Sequence, residues 1–372
     1  MRNSCVLIVM QPEPGHVLPT LSLASALQAW GYRVVYLTSG SLGQHLRERG
    51  FEAESFARED VTVQPVLSGY CNSHSGRSFW LQFGHGAQRA AFIAARVRTM
   101  VQEYEPAMLL VDHLFFRNHG LFAEAEFCGA RLVHLATSLP RWDEPKDHSS
   151  IPRWVLCPAA LELECFLQRY NNVGFGEPCV DWQRKEVPVD RSRLRRGAKL
   201  ILYSPGTQVM MHVNADGRLR DVLRAACSMP DCDFMIATGT PQTAKEAQEE
   251  LPLNVTLASH IPQLSLLPEA SAFIMHGGLG SLKEAICCGV PTLVMPMVFD
   301  QPYNAMRVRE LSLGMALYPD KVSALAIESC LSTLLNDARI KDGLCQMQEV
   351  FLAEAAKKPI VSMLLAQLAA LS

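Results

Sequence analysis

Apolar residues along the first half of the chain alternate between short continuous runs and stretches with helical spacing. Residues 5–10 form one such run, which is typical of a strand buried on both faces of a parallel sheet. Residues 17–30 then place leucine and alanine at helical spacing, and Gly31 marks the end of that helix. The strand pattern returns at 33–38 and the helix pattern at 41–49. This alternation predicts repeated strand–helix units.

The second half of the chain repeats the alternation, which predicts a second sheet of the same kind. The remaining predicted elements are strands at 107–111, 131–136, 200–203, 233–237, 272–275 and 292–295, and helices at 87–103, 279–288 and 360–371. The predicted fold class is therefore α/β, with two doubly wound parallel sheets that carry helices on both faces. A length of 372 residues fits two domains.

A segment rich in basic side chains, residues 183–199, is the expected domain boundary. Glu186 and Asp190 interrupt its charge run, which favours a solvated linker over a basic patch for a membrane or an acidic partner. We therefore assign residues 1–197 to an N-terminal domain and residues 198–357 to a C-terminal domain.

Composition and charge exclude several classes of protein. Apolar residues make up 49% of the chain and charged residues 19%, which excludes a largely disordered protein. The 34 Lys and Arg against 37 Asp and Glu leave no basic surplus of the kind that nucleic-acid-binding proteins carry. No stretch reaches the roughly 20 apolar residues of a membrane span, and the apolar run at 5–10 is shorter than a signal peptide requires. We therefore expect a cytoplasmic protein.

The twelve cysteines include no Cys-x-x-Cys pair. Zinc ligands usually come as such tight pairs, so no metal site is expected. Disulfide frameworks are typical of small secreted chains, so we expect reduced thiols.

The strongest local pattern is His-Gly-Gly-Leu-Gly-Ser at residues 276–281, between a predicted strand and a predicted helix. Ligands of open α/β sheets bind at the carboxyl ends of strands. Glycines let a ligand approach the backbone, and the free N–H groups of the helix N-terminus favour an anion such as phosphate. His276 and Ser281 add hydrogen-bonding side chains. The alternative is a tight strand-to-helix turn that binds nothing.

Two further polar patterns follow this turn. Glu284 lies three residues after Ser281 on the same side of the helix, and its carboxylate is suited to accepting hydrogen bonds from the two hydroxyls of a ribose. Asp300 and Gln301 follow the strand at 292–295 and are suited to binding sugar hydroxyls. The alternatives are an ordinary exposed position for Glu284 and a helix N-cap for Asp300.

In the first half, His16 lies in a turn after the first strand, and Asp112 ends a later strand. If these strands are neighbours, both side chains lie at the same edge of the sheet. A carboxylate that orients a histidine makes it a general base, because it fixes the tautomer and stabilises the imidazolium. The ring suits the task, since its unperturbed pKa is about 6.5. A purely structural histidine is the alternative.

Taken together, these motifs resemble the UDP-glycosyltransferase superfamily, in particular the bacterial natural-product and macrolide-type enzymes of the GT-B fold. On the acceptor side, the resemblance rests on the motif at 14–19 and the strand at 106–112. On the donor side, it rests on segments 200–207, 260–263 with 266–267, 276–281, 284–285, 289–291, Pro296, 300–301 and Asn304. Segments 60–100 and 138–198 carry no recognisable motif.

The resemblance implies two Rossmann-like domains facing a cleft, with the nucleotide sugar bound mainly to the C-terminal domain and the acceptor to the N-terminal one. The final segment, 358–372, would join the N-terminal domain. His16 would be the general base and Asp112 its partner. The implied donor-binding residues are Gly206, Thr207, His260, Ile261, Gln263, His276, Gly278, Gly280, Ser281, Glu284, Asp300 and Gln301.

The implied reaction is inverting, and it moves a hexose from a nucleoside-diphosphate sugar to a hydroxyl without a metal ion or other cofactor. The pattern of Glu284 with Asp300 and Gln301 favours UDP over dTDP as the nucleotide. An apolar or aromatic acceptor wall, with ordinary core packing as its alternative, is predicted at Phe79, Trp80, Phe83 and Phe115. The expected partners are the nucleotide sugar and a small-molecule acceptor, and a homodimer is left open.

Three positions depart from the family pattern. His260 stands where a large aromatic residue usually stacks on the base, Pro205 replaces a larger apolar residue, and Gly280 stands where many relatives have asparagine. Other activities of the same fold remain as alternatives: a lipid-intermediate N-acetylglucosaminyltransferase, a sugar-nucleotide 2-epimerase, and a non-catalytic partner protein.

Overall fold

The computed structural model describes residues 4–56, 87–119, 121–122, 126–139, 151–168, 172–206, 215–239 and 251–371. The chain divides into two compact units. The first consists of Met1–Asp181 together with Glu354–Ser372, and the second is Trp182–Ala353. Each unit is built around one predominantly parallel sheet, as the alternating sequence pattern predicts.

The sheet of the first unit is built from eight strands within the described residues. They are β1 Cys5–Val9, β2 Arg33–Thr38, β3 Glu52–Ser55, β4 Met108–Asp112, β5 Glu126–Phe127, β6 Ala130–Ala136, β7 Arg153–Val155 and β8 Val173–Phe175. Their order is β3-β2-β1-β4-β6-β7-β8, all parallel, and β5 pairs with β6 in the antiparallel direction. The helices between them are α1 Pro14–Val17, α2 Leu21–Ala29, α3 Gly40–Glu48, α4 Ala87–Tyr104, α5 His113–His119 and α6 Glu164–Leu167.

The second unit repeats this plan with six parallel strands in the described residues. They are β9 Lys199–Ser204, β10 Cys232–Ala237, β11 Val255–Ala258, β12 Ala270–Met275, β13 Thr292–Val294 and β14 Gly314–Ala316. Their order in the sheet is β11-β10-β9-β12-β13-β14. The helices are α7 Ala215–Ser228, α8 Gln263–Leu266, α9 Leu279–Cys287, α10 Gln301–Glu310, α11 Ala324–Asn336 and α12 Ala338–Lys357, and the chain ends with α13 Pro359–Ala369.

Strand β1 shows why the apolar runs are continuous. Alternate residues point to opposite faces of the sheet, and every residue of β1 is at most 3% exposed. Val6 and Ile8 pack in a cluster with apolar residues of α2 and α13, whereas Leu7 and Val9 pack in another with residues of α4. Helices therefore cover both faces, which is the doubly wound arrangement.

The boundary between the units lies at 181–182, and not at 197–198 as predicted. Most of the basic segment after Asp181 is exposed to solvent, as predicted, but it belongs to the second unit and is paired with acidic groups there. Arg184 bonds to Glu284, Arg191 to Glu269 and Arg195 to Asp233. These ion pairs are long-range in sequence, so the charge pattern of the segment alone does not reveal them.

Both sheets reverse their strand order at one central pair of neighbours, β1 with β4 in the first and β9 with β12 in the second. Chains that leave these strands at their carboxyl ends turn to opposite faces of the sheet and leave a crevice between them, where ligands of such sheets bind. The predicted site residues can therefore be located relative to these two pairs.

Candidate active site

The first group of predicted site residues lies where β1 and β4 end, side by side in the first sheet. Asp112 is the last residue of β4, and His16 lies in the short helix α1, which has Pro14 at its first position. Their side chains meet, with 2.7 Å between His16 Nδ1 and Asp112 Oδ2. Strand order therefore brings together two residues that are 96 positions apart in the chain.

The carboxylate of Asp112 is 1% exposed and is fixed by several donors. Its Oδ2 also accepts a hydrogen bond from the N–H of Gln11 at 3.2 Å, and its Oδ1 accepts one from the N–H of Leu114 at 3.0 Å. An ionised carboxylate only accepts, so the neutral form of the His16 ring carries its proton on Nδ1 in this contact and has its lone pair on Nε2. The hydroxyl of Thr137 lies 3.0 Å from the same Nδ1. Both contacts are made by Nδ1, so they fix the orientation of the ring through that nitrogen.

A buried cluster of basic side chains begins at the next residue. The guanidinium of Arg153, which is buried, donates to Nε2 of His113. The rings of His113, Phe116 and His134 pack with centroids 5.5 to 5.8 Å apart. Burial and the neighbouring Arg153 lower the pKa of His113 to about 2, so this histidine is neutral. No local sequence pattern marks this cluster, which packs around the carboxyl end of β4.

The second group lies where β9 and β12 end in the second sheet. His276 follows β12, and two glycines border its ring. A Cβ on Gly206, which follows β9 with φ +83°, would lie 2.4 Å from His276 Cε1, and a Cβ on Gly278 would lie 2.4 Å from His276 Nε2. Side chains at these two positions would displace the imidazole, so its position requires glycine at both.

The helix after this turn presents its N-terminus at the same edge. Helix α9 begins at Leu279, and its N-cap residue is Gly278, which has no side chain to cap the first turn. The N–H groups of a first helical turn have no partner within the helix. A Cβ on Gly280 would meet nothing within 4 Å, and Ser281 is half-buried. Open backbone N–H groups beside a histidine and a hydroxyl form a surface suited to a phosphate anion.

Glu284 lies one turn further along α9 and is the centre of a hydrogen-bond network. Arg184 donates from Nη1 to Oε1 at 2.8 Å and from Nη2 to Oε2 at 3.3 Å. Gln263 donates from Nε2 to Oε2 at 2.6 Å. The side chain of Glu284 is 10% exposed, so the alternative of an ordinary exposed position is wrong.

Asp300 and Gln301 begin helix α10 and contact the loops around the glycine turn. Gln301 is 3% exposed, and its side-chain oxygen accepts from two N–H groups of the preceding loop at 2.8 and 3.2 Å. The amide of Asn304 donates to the carbonyl of Gly277 at 2.8 Å and to Asp300 Oδ2 at 3.0 Å. Asp300 stands at the N-cap position of α10, as the alternative states, but its side chain makes no capping hydrogen bond to the helix backbone.

The other predicted donor residues lie between β11 and β12. His260, Ile261 and Gln263 are half-buried there. Burial lowers the pKa of His260, so its ring is uncharged at neutral pH. Thr207 lies outside the described residues.

The predicted acceptor wall is not assembled by the described part of the chain. Phe79, Trp80 and Phe83 lie outside the described residues. Phe115 is fully buried, and its ring meets those of core phenylalanines at centroid distances of 6.2 and 6.4 Å. The prediction of Phe115 as an acceptor contact is therefore wrong. Its ring points from helix α5 into the core, which is the alternative of ordinary core packing.

Three polar residues of these sites were not identified from the sequence. Arg184 supports Glu284, Thr137 contacts His16, and Arg218 donates to the carbonyls of Met295 and Pro296 at 2.7 and 3.3 Å. Arg218 is buried, which lowers its pKa. For Arg184, the only local hint in the sequence was that acidic residues interrupt its basic segment. The sequence around Thr137 and Arg218 carried no such hint.

The described residues contain neither a metal-binding cluster nor a membrane-spanning helix. No group of three or more His, Cys, Asp or Glu side chains in this part of the chain is arranged to hold a metal ion. None of the helices that the structure describes is long and apolar enough to cross a membrane.

The sequence is similar to known families and proteins. Residues 223–367 match the family model of the C-terminal domain of erythromycin biosynthesis protein CIII-like proteins. NDP-glycosyltransferase YjiC of Bacillus licheniformis is 24% identical, in an alignment that covers 94% of each chain.

Solved structures match the fold over nearly the whole chain. The glycosyltransferase of kitacinnamycin has a TM-score of 0.78 at 21% identity, covering 99% of this chain and 100% of that one. Spinosyn rhamnosyltransferase SpnG in complex with thymidine diphosphate has a TM-score of 0.71 at 19% identity, covering 95% and 98%. These similarities confirm the predicted arrangement of two Rossmann-like parallel-sheet domains.

Proposed function

The chain belongs to the GT-B glycosyltransferase superfamily of natural-product type, and we propose that it is an inverting enzyme that moves a hexose to a hydroxyl of a small, apolar or aromatic acceptor. The observation that carries this proposal is the contact between His16 Nδ1 and the buried Asp112 carboxylate at 2.7 Å. It leaves Nε2 as the atom that accepts a proton.

In the proposed reaction, the acceptor hydroxyl gives its proton to His16 Nε2 while its oxygen attacks the anomeric carbon of the sugar. The bond from that carbon to the diphosphate oxygen breaks, and the nucleoside diphosphate leaves with the electron pair. Attack from the opposite face inverts the anomeric centre, so an α-linked donor gives a β-linked product. Asp112 stabilises the imidazolium that forms.

The leaving diphosphate is assigned to the N-terminus of α9. Its N–H groups and the dipole of the helix stabilise negative charge that develops on the leaving group. His276, whose ring has room because residues 206 and 278 are glycines, and the Ser281 hydroxyl supply further hydrogen bonds. We assign the sugar hydroxyls to Asp300 and to the amide group of Gln301, whose oxygen is already bonded to the preceding loop.

We assign the nucleoside to the surface around Glu284, Gln263, Ile261 and the uncharged ring of His260. The nucleotide is UDP or dTDP. The sequence pattern that favours UDP consists of Glu284 with Asp300 and Gln301. The hydrogen bonds from Arg184 occupy part of the Glu284 carboxylate and weaken the part of that argument that rests on Glu284. A structural relative, SpnG, binds thymidine diphosphate.

Titration calorimetry of the protein with UDP and with dTDP, without added metal, tests the donor site. We expect one or both to bind, with weaker binding after Glu284→Ala and after His276→Ala. His16→Ala is the matched control, because His16 lies in the first unit and the assigned nucleotide site in the second. The affinity of this variant for the nucleotide should equal that of the unmodified protein. A folded protein that binds neither nucleotide would contradict the proposal.

The transfer step is tested with the nucleotide sugar that matches the bound nucleotide and a panel of phenols and other apolar alcohols. NMR of the product measures the anomeric configuration. Retention of the donor's configuration would contradict the inverting mechanism.

A further inference from the structure

Arg184 brings a positive charge from the start of the second unit to the carboxylate assigned to the ribose. Its two terminal nitrogens bond to both oxygens of Glu284, at 2.8 and 3.3 Å. The same guanidinium donates from Nη2 to Glu186 Oε1 at 2.9 Å. The side chains of all three residues are at most 13% exposed.

Glu186 is itself held in place, which fixes Arg184. Its two oxygens accept from the N–H groups of Leu264 and Ser265, each at 2.9 Å, and from the Ser265 hydroxyl at 2.9 Å. Moving Arg184 away from Glu284 would therefore leave a buried carboxylate without its cation and disturb a second ion pair. Breaking one partner of a buried ion pair is costly.

The hydrogen-bonding capacity of Glu284 is nearly filled by these contacts. A carboxylate offers about four lone-pair positions. Within the described residues, Oε1 accepts one bond, from Arg184, and Oε2 accepts two, from Arg184 and Gln263. One position remains, on Oε1.

We propose that Arg184 is a specificity-determining residue that restricts Glu284 to a single hydroxyl of the nucleoside sugar. A 2′-deoxyribose still offers its 3′-hydroxyl to that position, so the site gains little from a 2′-hydroxyl. This inference rests on the proposed function, because it requires a nucleoside diphosphate at Glu284. It predicts an enzyme tolerant of ribose and 2′-deoxyribose donors.

The test compares UDP with 2′-deoxy-UDP, which differ only in that hydroxyl, by titration calorimetry at pH 7.5. In the unmodified protein we expect the two dissociation constants to agree within about threefold. Arg184→Met frees two lone-pair positions of Glu284, so the preference for UDP should rise about tenfold to a hundredfold, as one hydrogen bond to a charged group provides. Arg184→Lys keeps the positive charge but donates fewer hydrogen bonds to Glu284, so it should give an intermediate preference for UDP. This variant replaces Arg184→Met in the test if Arg184→Met does not fold.

Arg191→Met is the matched control. Arg191 belongs to the same segment, and its ion pair with Glu269 is mostly exposed. The ratio of the two dissociation constants should remain that of the unmodified protein.

Each result decides the matter. A rise in the ratio with the Arg184 variants and not with Arg191→Met supports the inference. An unmodified protein that already prefers UDP by tenfold or more would overturn it while leaving the proposed function intact, and so would a ratio that Arg184 variants leave unchanged. Failure of both ligands to bind would overturn the donor site itself.

Discussion

The two sheets reverse their strand order at equivalent places, but the loops there carry different chemistry. In the first sheet, the edge beside β1 and β4 holds an ionisable pair with a buried carboxylate, His16 and Asp112. In the second, the edge beside β9 and β12 holds glycines and a helix N-terminus around His276. One scaffold thus provides a site suited to proton transfer and a site suited to anion binding, and the difference lies in a few loop residues.

This difference has a kinetic consequence. A residue that exchanges a proton acts in the transition state, so its loss lowers turnover more than binding. A backbone surface that holds a diphosphate contacts it in the ground state as well, so its loss weakens binding. Variants at the two edges should therefore separate into two classes, and the following predictions test this separation.

The largest effect is expected for His16→Ala. Removing the proposed general base should lower kcat by about 10²–10⁴-fold, because the acceptor hydroxyl then lacks the group proposed to take its proton. Steady-state kinetics with the best acceptor of the panel measures kcat, and calorimetry measures nucleotide affinity, which should not change.

A His16→Ala variant with nearly full activity would remove the base assignment. If His16→Ala instead lost nucleotide affinity, the separation of roles would be wrong. The edge beside β1 and β4 would then contribute to nucleotide binding as well as to proton transfer.

A smaller effect of the opposite class is expected for Gly278→Ala. Its φ of −63° suits alanine, so the backbone is not strained. The new Cβ would lie 2.4 Å from His276 Nε2 and must displace that ring. Nucleotide affinity should fall by about tenfold, the loss of a hydrogen bond to a charged group.

Gly280→Ala serves as the stability control for that variant. Its Cβ would meet nothing within 4 Å, and replacing a helical glycine by alanine should stabilise the protein by about 0.5–1 kcal/mol. Denaturant unfolding measures the free energy of unfolding of both variants. A Gly278→Ala variant with unchanged nucleotide affinity would remove His276 from the diphosphate site.

The sequence was most informative where the signal was local. The glycine turn at 276–281, Glu284 and the pair at 300–301 lie within one short stretch, and periodicity places them at strand ends. The contact of His16 with Asp112 could be predicted only if the strands before them are neighbours in the sheet. The alternating pattern predicts the strands but does not determine their order.

Long-range pairing of charges escaped the sequence analysis. Arg184 contacts a carboxylate 100 positions away, so its segment was interpreted as a linker. Phe115 was interpreted as an acceptor contact, since an aromatic residue after a strand has the same local pattern whether it faces a ligand or the core. Burial depends on what packs above it, here the rings of Phe56 and Phe122.

The smallest expected effect concerns how the first unit holds the last helix. Glu177 is buried and accepts from the N–H groups of Ile360 and Val361 at 2.8 and 3.3 Å, at the start of α13. Glu177→Ala leaves these N–H groups without that acceptor and should lower the free energy of unfolding by about 1–2 kcal/mol. Denaturant unfolding measures it, and kcat of the folded variant should stay within about threefold of the unmodified protein, since no residue assigned to either edge is changed.

The pH dependence of the contribution of Glu177 to stability shows which of two opposing effects on its pKa is larger, burial or hydrogen bonding. Burial raises the pKa of Glu177, although the two N–H groups and Lys358 act against it. A carboxyl whose pKa is higher in the folded state binds more protons there, so its contribution to stability is present at acid pH and is lost as pH rises through the folded pKa. Glu177→Gln cannot titrate. The free energy of unfolding of the unmodified protein, relative to this variant, should therefore fall as the pH rises above 4.5, the ordinary pKa of a glutamate. A difference that instead grows with pH would mean that the hydrogen bonds to α13 outweigh burial, and that Glu177 acts as an ionised cap.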